Sequence, residues 1–74
     1  MFIKLTIGES EYSLAAHEFI FKSMDKYLYI NPKHIGHFEL SFNNNWTDFV
    51  TRNGRGFYVK ETPEQIMEMF KEEN

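Results

Sequence analysis

The sequence predicts an α+β domain, a small sheet of four or five mostly antiparallel strands with a C-terminal helix packed on one face. Three observations carry this. Apolar residues alternate with polar ones at Ile3-Leu5-Ile7, at Leu28-Ile30 and at Phe38-Leu40-Phe42, the period of half-buried strands. Asn53-Gly54 stands between two β-rich runs, Phe49-Val50-Thr51 and Phe57-Tyr58-Val59, and both turn residues tolerate positive φ. After Lys60 the period becomes helical, behind the cap sequence Thr62-Pro63-Glu64-Gln65. At 74 residues the chain makes a single domain.

The closing hairpin has two readings that differ in parity. A two-residue loop of Asn53 and Gly54 would set Asp48 opposite Val59 and place a carboxylate among apolar side chains. A loop of Arg52 to Gly54, with Gly54 left-handed, aligns Phe49 with Phe57 and Thr47 with Val59 instead. Changing parity flips one strand's faces, so burial favours the odd loop.

The remaining elements follow in order. Ile3, Leu5 and Ile7 share one face of an opening strand that Gly8 ends. From Glu9 to Lys26 two readings stay open. Tyr12, Ala16, Phe19, Ser23 and Met24 suit a helical face, while Phe19 and Phe21 alternate as in a strand that Met24-Asp25-Lys26 turns back. We favour a strand from Phe19 to Lys22 behind a loop or short helix. Tyr27 to Ile30 is a strand with Leu28 and Ile30 inward and both tyrosines outward. Asn31-Pro32 stops it, because proline lacks the N–H and biases its neighbour away from helix. Pro32 to Gly36 reads as one irregular or 3₁₀ turn with Ile35 plugging the core. Phe38, Leu40 and Phe42 mark the next strand, and Asn43-Asn44-Asn45 a polar turn leading to Trp46.

In the helix, Thr62 is the N-cap, Pro63 the first helical residue and Gln65 the group that reaches back. Ile66, Met67 and Phe70 form its apolar face, with Met69 at the edge. Glu64, Glu68 and Glu72 form an acidic stripe. So short a helix is marginal alone in water and must dock on the sheet.

Composition bounds the function. No cysteine is present, so stability rests on no disulfide. Eight Phe, four Tyr and one Trp compensate for a chain too small to bury much surface. The N-terminal run is strand-like, which points to a cytoplasmic protein without signal peptide or membrane insertion. The net charge of −3 is uneven, near neutral through Lys60 and acidic from Glu61 onward.

Several positions resemble the small FlbD-like proteins associated with flagella and motility. They are the strand Ile3-Lys4-Leu5-Thr6, Asn31 placed before Ile35, the turn Gly54, and the closing Val59-Lys60-Glu61-Thr62 with Glu64 and Ile66. The likeness covers the first strand and roughly Tyr27 to Phe70, with Glu9 to Lys26 resembling an insertion. It implies a non-enzymatic cytoplasmic protein, bacterial or phage, that acts through partners and has neither catalytic residues nor a cofactor.

The residues give a matching picture. There is no glycine-rich loop before a helix and no nucleophile elbow. His34, His37 and Glu39 lie close in sequence, yet two histidines across a turn need a third anchored ligand to hold a metal. Tyr27, Tyr29 and Tyr58, with Trp46 and Val50 by parity, point to the face opposite Phe49 and Phe57. One helix cannot cover both faces of a sheet, so these five residues are the candidate interface with a protein partner or a second copy. If residues 9–26 fold over that face instead, the aromatics become core. A nucleic-acid surface is the alternative, built on Lys22, Lys26, Lys33, Arg52, Arg55 and Lys60 with stacking on tyrosine. The strand order also resembles that of LytTR-type DNA-binding domains. The acidic balance and the lack of a basic run weigh against it.

Overall fold

The computed structural model describes residues 2–72. Strands β1 (Ile3–Ser13), β2 (Glu18–Ile30), β3 (Ile35–Leu40), β4 (Thr47–Thr51) and β5 (Gly56–Val59) form one sheet, and helix α1 (Pro63–Glu72) follows. Every neighbouring pair is antiparallel, and the spatial order is β2-β1-β5-β4-β3. The α+β class is as expected, with five strands.

That order forces the sheet to curl. β2 and β3 occupy opposite edges, about 19 Å apart in a flat sheet of this width. The link between them is residues 31–34, three of which form a 3₁₀ turn, Pro32–His34, that rises only about 2 Å per residue. The edges therefore approach each other at this end. The turn is also bonded to the β4–β5 loop, as an extension of the β3–β4 ladder beyond Ile35 and Thr51. The Arg52 backbone N–H donates to the His34 carbonyl at 2.7 Å, and Arg52 Nη1 donates to the Lys33 carbonyl at 3.2 Å.

The concave face is the core. Ile3, Leu5, Ile30, Phe49 and Val59 are buried there with Ile66 of the helix, and Leu28, Ile35, Phe38, Phe57, Met69 and Phe70 pack around them. Phe38 stacks on Phe49 with centroids 6.0 Å apart and meets Phe70 edge-on at 6.2 Å. Each such buried side chain stabilises the fold by roughly 1.5–3 kcal/mol.

The closing hairpin takes the odd loop. Thr47 faces Val59 and Phe49 faces Phe57, the Thr51 N–H donates to the Arg55 carbonyl at 2.8 Å, and Gly54 has φ 91°. The capping box forms with both bonds, Gln65 N to Thr62 Oγ1 at 3.1 Å and Thr62 N to Gln65 Oε1 at 2.8 Å. Just before it, Glu61 ties the helix to the sheet. Its carboxylate accepts from Thr6 N at 2.8 Å and from Thr6 Oγ1 at 2.9 Å, and its carbonyl accepts from Thr47 Oγ1 at 2.6 Å.

Four expectations need correction. Gly8 does not end β1, which continues to Ser13, and residues 9–13 are strand rather than loop or helix. The reversal comes at Leu14–His17, where His17 adopts φ 55°. Met24-Asp25-Lys26 is a bulge within β2 and not a turn. Ile7 faces Lys26 and Gly8 faces Ser23, so Met24 and Asp25 are extra residues, with Asp25 at φ 55°. β3 ends at Leu40, and Phe42 lies exposed in a turn built on buried Ser41. The Ser41 Oγ accepts from Asn45 N at 3.1 Å and from Trp46 N at 3.2 Å. Met67 faces solvent while Met69 joins Ile66 and Phe70 on the core side, the i, i+3, i+4 spacing of a docked helix.

Candidate functional site: the outer face and its edge

The bulge sets the site. An extra pair of residues bends the strand that carries it, so the far half of the β1–β2 hairpin leaves the sheet plane as an arm. Gly8 faces Tyr58 across the ladder, on the outer face. A Cβ on Gly8 would lie 2.3 Å from Phe21 Cζ and 2.4 Å from the Lys22 carbonyl oxygen. The Phe21 ring therefore rests directly on the Gly8 backbone, and the arm crosses the outer face at that point. Its far end is pinned to the β3–β4 turn. Asn43 Nδ2 and Asn45 Nδ2 both donate to the Phe19 carbonyl, at 2.7 and 2.8 Å, and Asn45 Nδ2 also donates to Glu18. Tyr12 and Phe19 meet edge-on at 5.3 Å across the arm.

This placement divides the five predicted interface residues. Trp46 points to the outer face but is only 4% exposed. Its Nε1 donates to Asp48 Oδ1 at 2.9 Å, and its ring lies 5.3 Å from Tyr58 and 5.9 Å from Phe42. Its ring is internal packing between Phe42 and Tyr58. Val50 is half-buried, and Tyr58 is partly exposed beside Trp46. Tyr27 and Tyr29 remain open, at 47% and 61% exposure. Lys4, opposite Tyr29, holds its Nζ 4.1 Å from the Tyr27 ring centroid.

The backbone beneath these tyrosines was not anticipated. Thr6 directs its carbonyl to Lys60 N at 3.0 Å and its N–H to Glu61, both away from β2. Thr6 and Tyr27 are therefore a non-hydrogen-bonded pair of the antiparallel ladder, and so, two residues on, are Lys4 and Tyr29. The N–H and C=O groups of Tyr27 and Tyr29 consequently point outward along the open edge. Registers and hydrogen bonds reveal this direction, and composition does not.

The six basic residues do not form one surface. Lys33, Arg52 and Arg55 gather where the 3₁₀ turn meets the closing hairpin, Lys60 lies at the other end of β5, and Lys26 flanks the bulge. Lys22 sits on the arm, 3.7 Å from Glu11. His34 and His37 are both exposed, and no three His, Asp or Glu side chains converge among the described residues. On α1, Glu68 pairs with Lys71 at 3.4 Å. No described helix is long and apolar enough to cross a membrane.

Comparison with protein-family models, curated proteins and solved structures finds no match to this chain.

Proposed function

We propose that the protein is a small non-enzymatic module that works by protein–protein contact, in the manner of the FlbD-like motility proteins it resembles, and that its contact surface is the edge of β2. The occupant proposed is a second copy of the chain. The observation that carries this is the open edge at Tyr27 and Tyr29, where outward backbone groups and exposed aromatic rings coincide.

The edge is self-complementary. Two copies related by a two-fold axis at Leu28 set Tyr27 of one against Tyr29 of the other, twice. Both residues offer outward N–H and C=O groups, as a hydrogen-bonded antiparallel pair requires. The rings then fall on the same outer face as cross-strand aromatic neighbours, each pair contributing roughly 0.2–1 kcal/mol. The bulge at Met24-Asp25 limits the pairing to the segment after it, since bulges disrupt edge-to-edge association. The contact is thus short, and the association is weak and concentration-dependent.

Light scattering across a concentration series tests this. The mean mass rises from that of one chain toward that of two, and Tyr29→Pro abolishes the rise. That substitution removes an outward N–H while leaving the bonds to β1 in place. Tyr27→Ser, which keeps the backbone, weakens association without abolishing it. A strict monomer at the highest soluble concentration overturns the reading.

A further inference from the structure

The curled sheet leaves a recess of about 450 Å³ at the end where the 3₁₀ turn meets the closing hairpin. Its lining includes the inner-face side chains Leu28, Ile30 and Phe57, which make an apolar floor. Its other lining residues include His34, Arg52 and Arg55, and no lining residue is acidic, in a chain of net charge −3. We infer that this recess is a binding site for a small amphipathic carboxylate, an aliphatic or aromatic body bearing one anionic end.

Three features of the recess support that ligand class. The volume lies within the range of small-molecule sites, roughly 300–1,000 Å³, which are mostly apolar with a few fixed polar groups. The two guanidiniums are held in place but keep free donors. Arg52 commits Nη1 to the Lys33 carbonyl, and Arg55 lies with its guanidinium carbon 5.4 Å from the centre of the Phe57 ring. Among the described residues neither is paired with a carboxylate. A guanidinium carries five donors in a fixed fork that matches a carboxylate, so the unpaired edges are the natural seat for one. The loop between them is also stiff, since Thr51 Oγ1 accepts from Arg55 N at 3.0 Å and Arg52 N is bound to His34. An uncharged ligand would leave two arginines unanswered, and a bare anion would leave the apolar floor wet.

The test is a titration followed by residue-resolved NMR with phenylbutyrate, phenylbutanol and acetate as probes. Phenylbutyrate gives saturable shifts at Leu28, Ile30, Phe57 and the Arg52–Arg55 loop, and phenylbutanol and acetate each bind at least about tenfold more weakly. Arg55→Gln, whose side chain makes no hydrogen bond among the described residues, lowers phenylbutyrate affinity by about tenfold. Tyr29→Pro leaves it unchanged, so this site and the β2 edge stand or fall separately. Equal affinity for phenylbutanol or for acetate overturns the inference, as do phenylbutyrate shifts that are absent, fail to saturate, or centre on Tyr27 and Tyr29.

Discussion

Gly8→Ala probes the contact that brings the arm across the sheet. The new methyl group would sit 2.3 Å from Phe21 Cζ, 2.5 Å from Phe21 Cε1 and 2.4 Å from the Lys22 carbonyl oxygen. Rotating the ring relieves the first two overlaps. The third involves backbone on the paired strand, so the arm itself must move. Forced overlap of this kind costs about 1–3 kcal/mol. If the arm lifts, the two asparagine bonds to the Phe19 carbonyl are lost as well, each worth roughly 0.5–1.5 kcal/mol net. The two contributions add to a loss of about 2–6 kcal/mol, and in a domain of this size each kcal/mol lowers Tm by roughly 4–8 °C. The assay is thermal unfolding followed by the fluorescence of Trp46, the single tryptophan. Its emission also reports in the native state, because the arm is bonded to Asn45, next to this buried ring, and a lifted arm frees that turn. A variant that melts within a degree of the parent, with unchanged emission, refutes the placement of the arm.

Other substitutions test the rest of the framework. Glu61→Ala removes the carboxylate that receives two bonds from Thr6 and leaves a strand N–H without a partner. Urea unfolding should show a loss of about 2–3 kcal/mol, more than for a typical neutral bond, because the acceptor is charged. Thr62→Ala deletes one side of the capping box, and the same assay should register about 1 kcal/mol. Gly54→Ala puts a side chain at φ 91° with open space around it, so its cost of about 1 kcal/mol is backbone strain alone and leaves Trp46 emission untouched.

Where local chemistry decided the structure, the sequence was a good guide. The odd hairpin loop follows from keeping Asp48 off the face of Phe49, and the helix start follows from Thr62, Pro63 and Gln65. The outward direction of Tyr27 and Tyr29 follows from strand alternation. Residues 9–26 were harder because their bend rests on non-glycine residues. His17 and Asp25 take positive φ without a glycine to announce it, and Gly8, which reads as a strand end, is instead a place where a ring approaches backbone. Trp46 shows the same limit. Its parity placed it on the outer face correctly, but its burial comes with rings from the turn and from β5, Phe42 and Tyr58, in a turn to which the arm is bonded from 24 and 26 residues away in the chain, which no local pattern encodes. The recess could not be read from the basic residues alone, since only the curl of the sheet brings Leu28 and Ile30 of β2 to Arg52, Arg55 and Phe57 of the closing hairpin.

The proposed role depends on the free edge of β2, and amide hydrogen exchange resolved by residue reports on it most directly. In dilute protein the Tyr27 and Tyr29 amides should exchange quickly while Leu28 and Ile30, bonded to β1, are protected, and raising the protein concentration should slow Tyr27 and Tyr29 selectively. Exchange at Tyr27 and Tyr29 that is equally slow in dilute solution, or that stays fast at every concentration, would contradict the account.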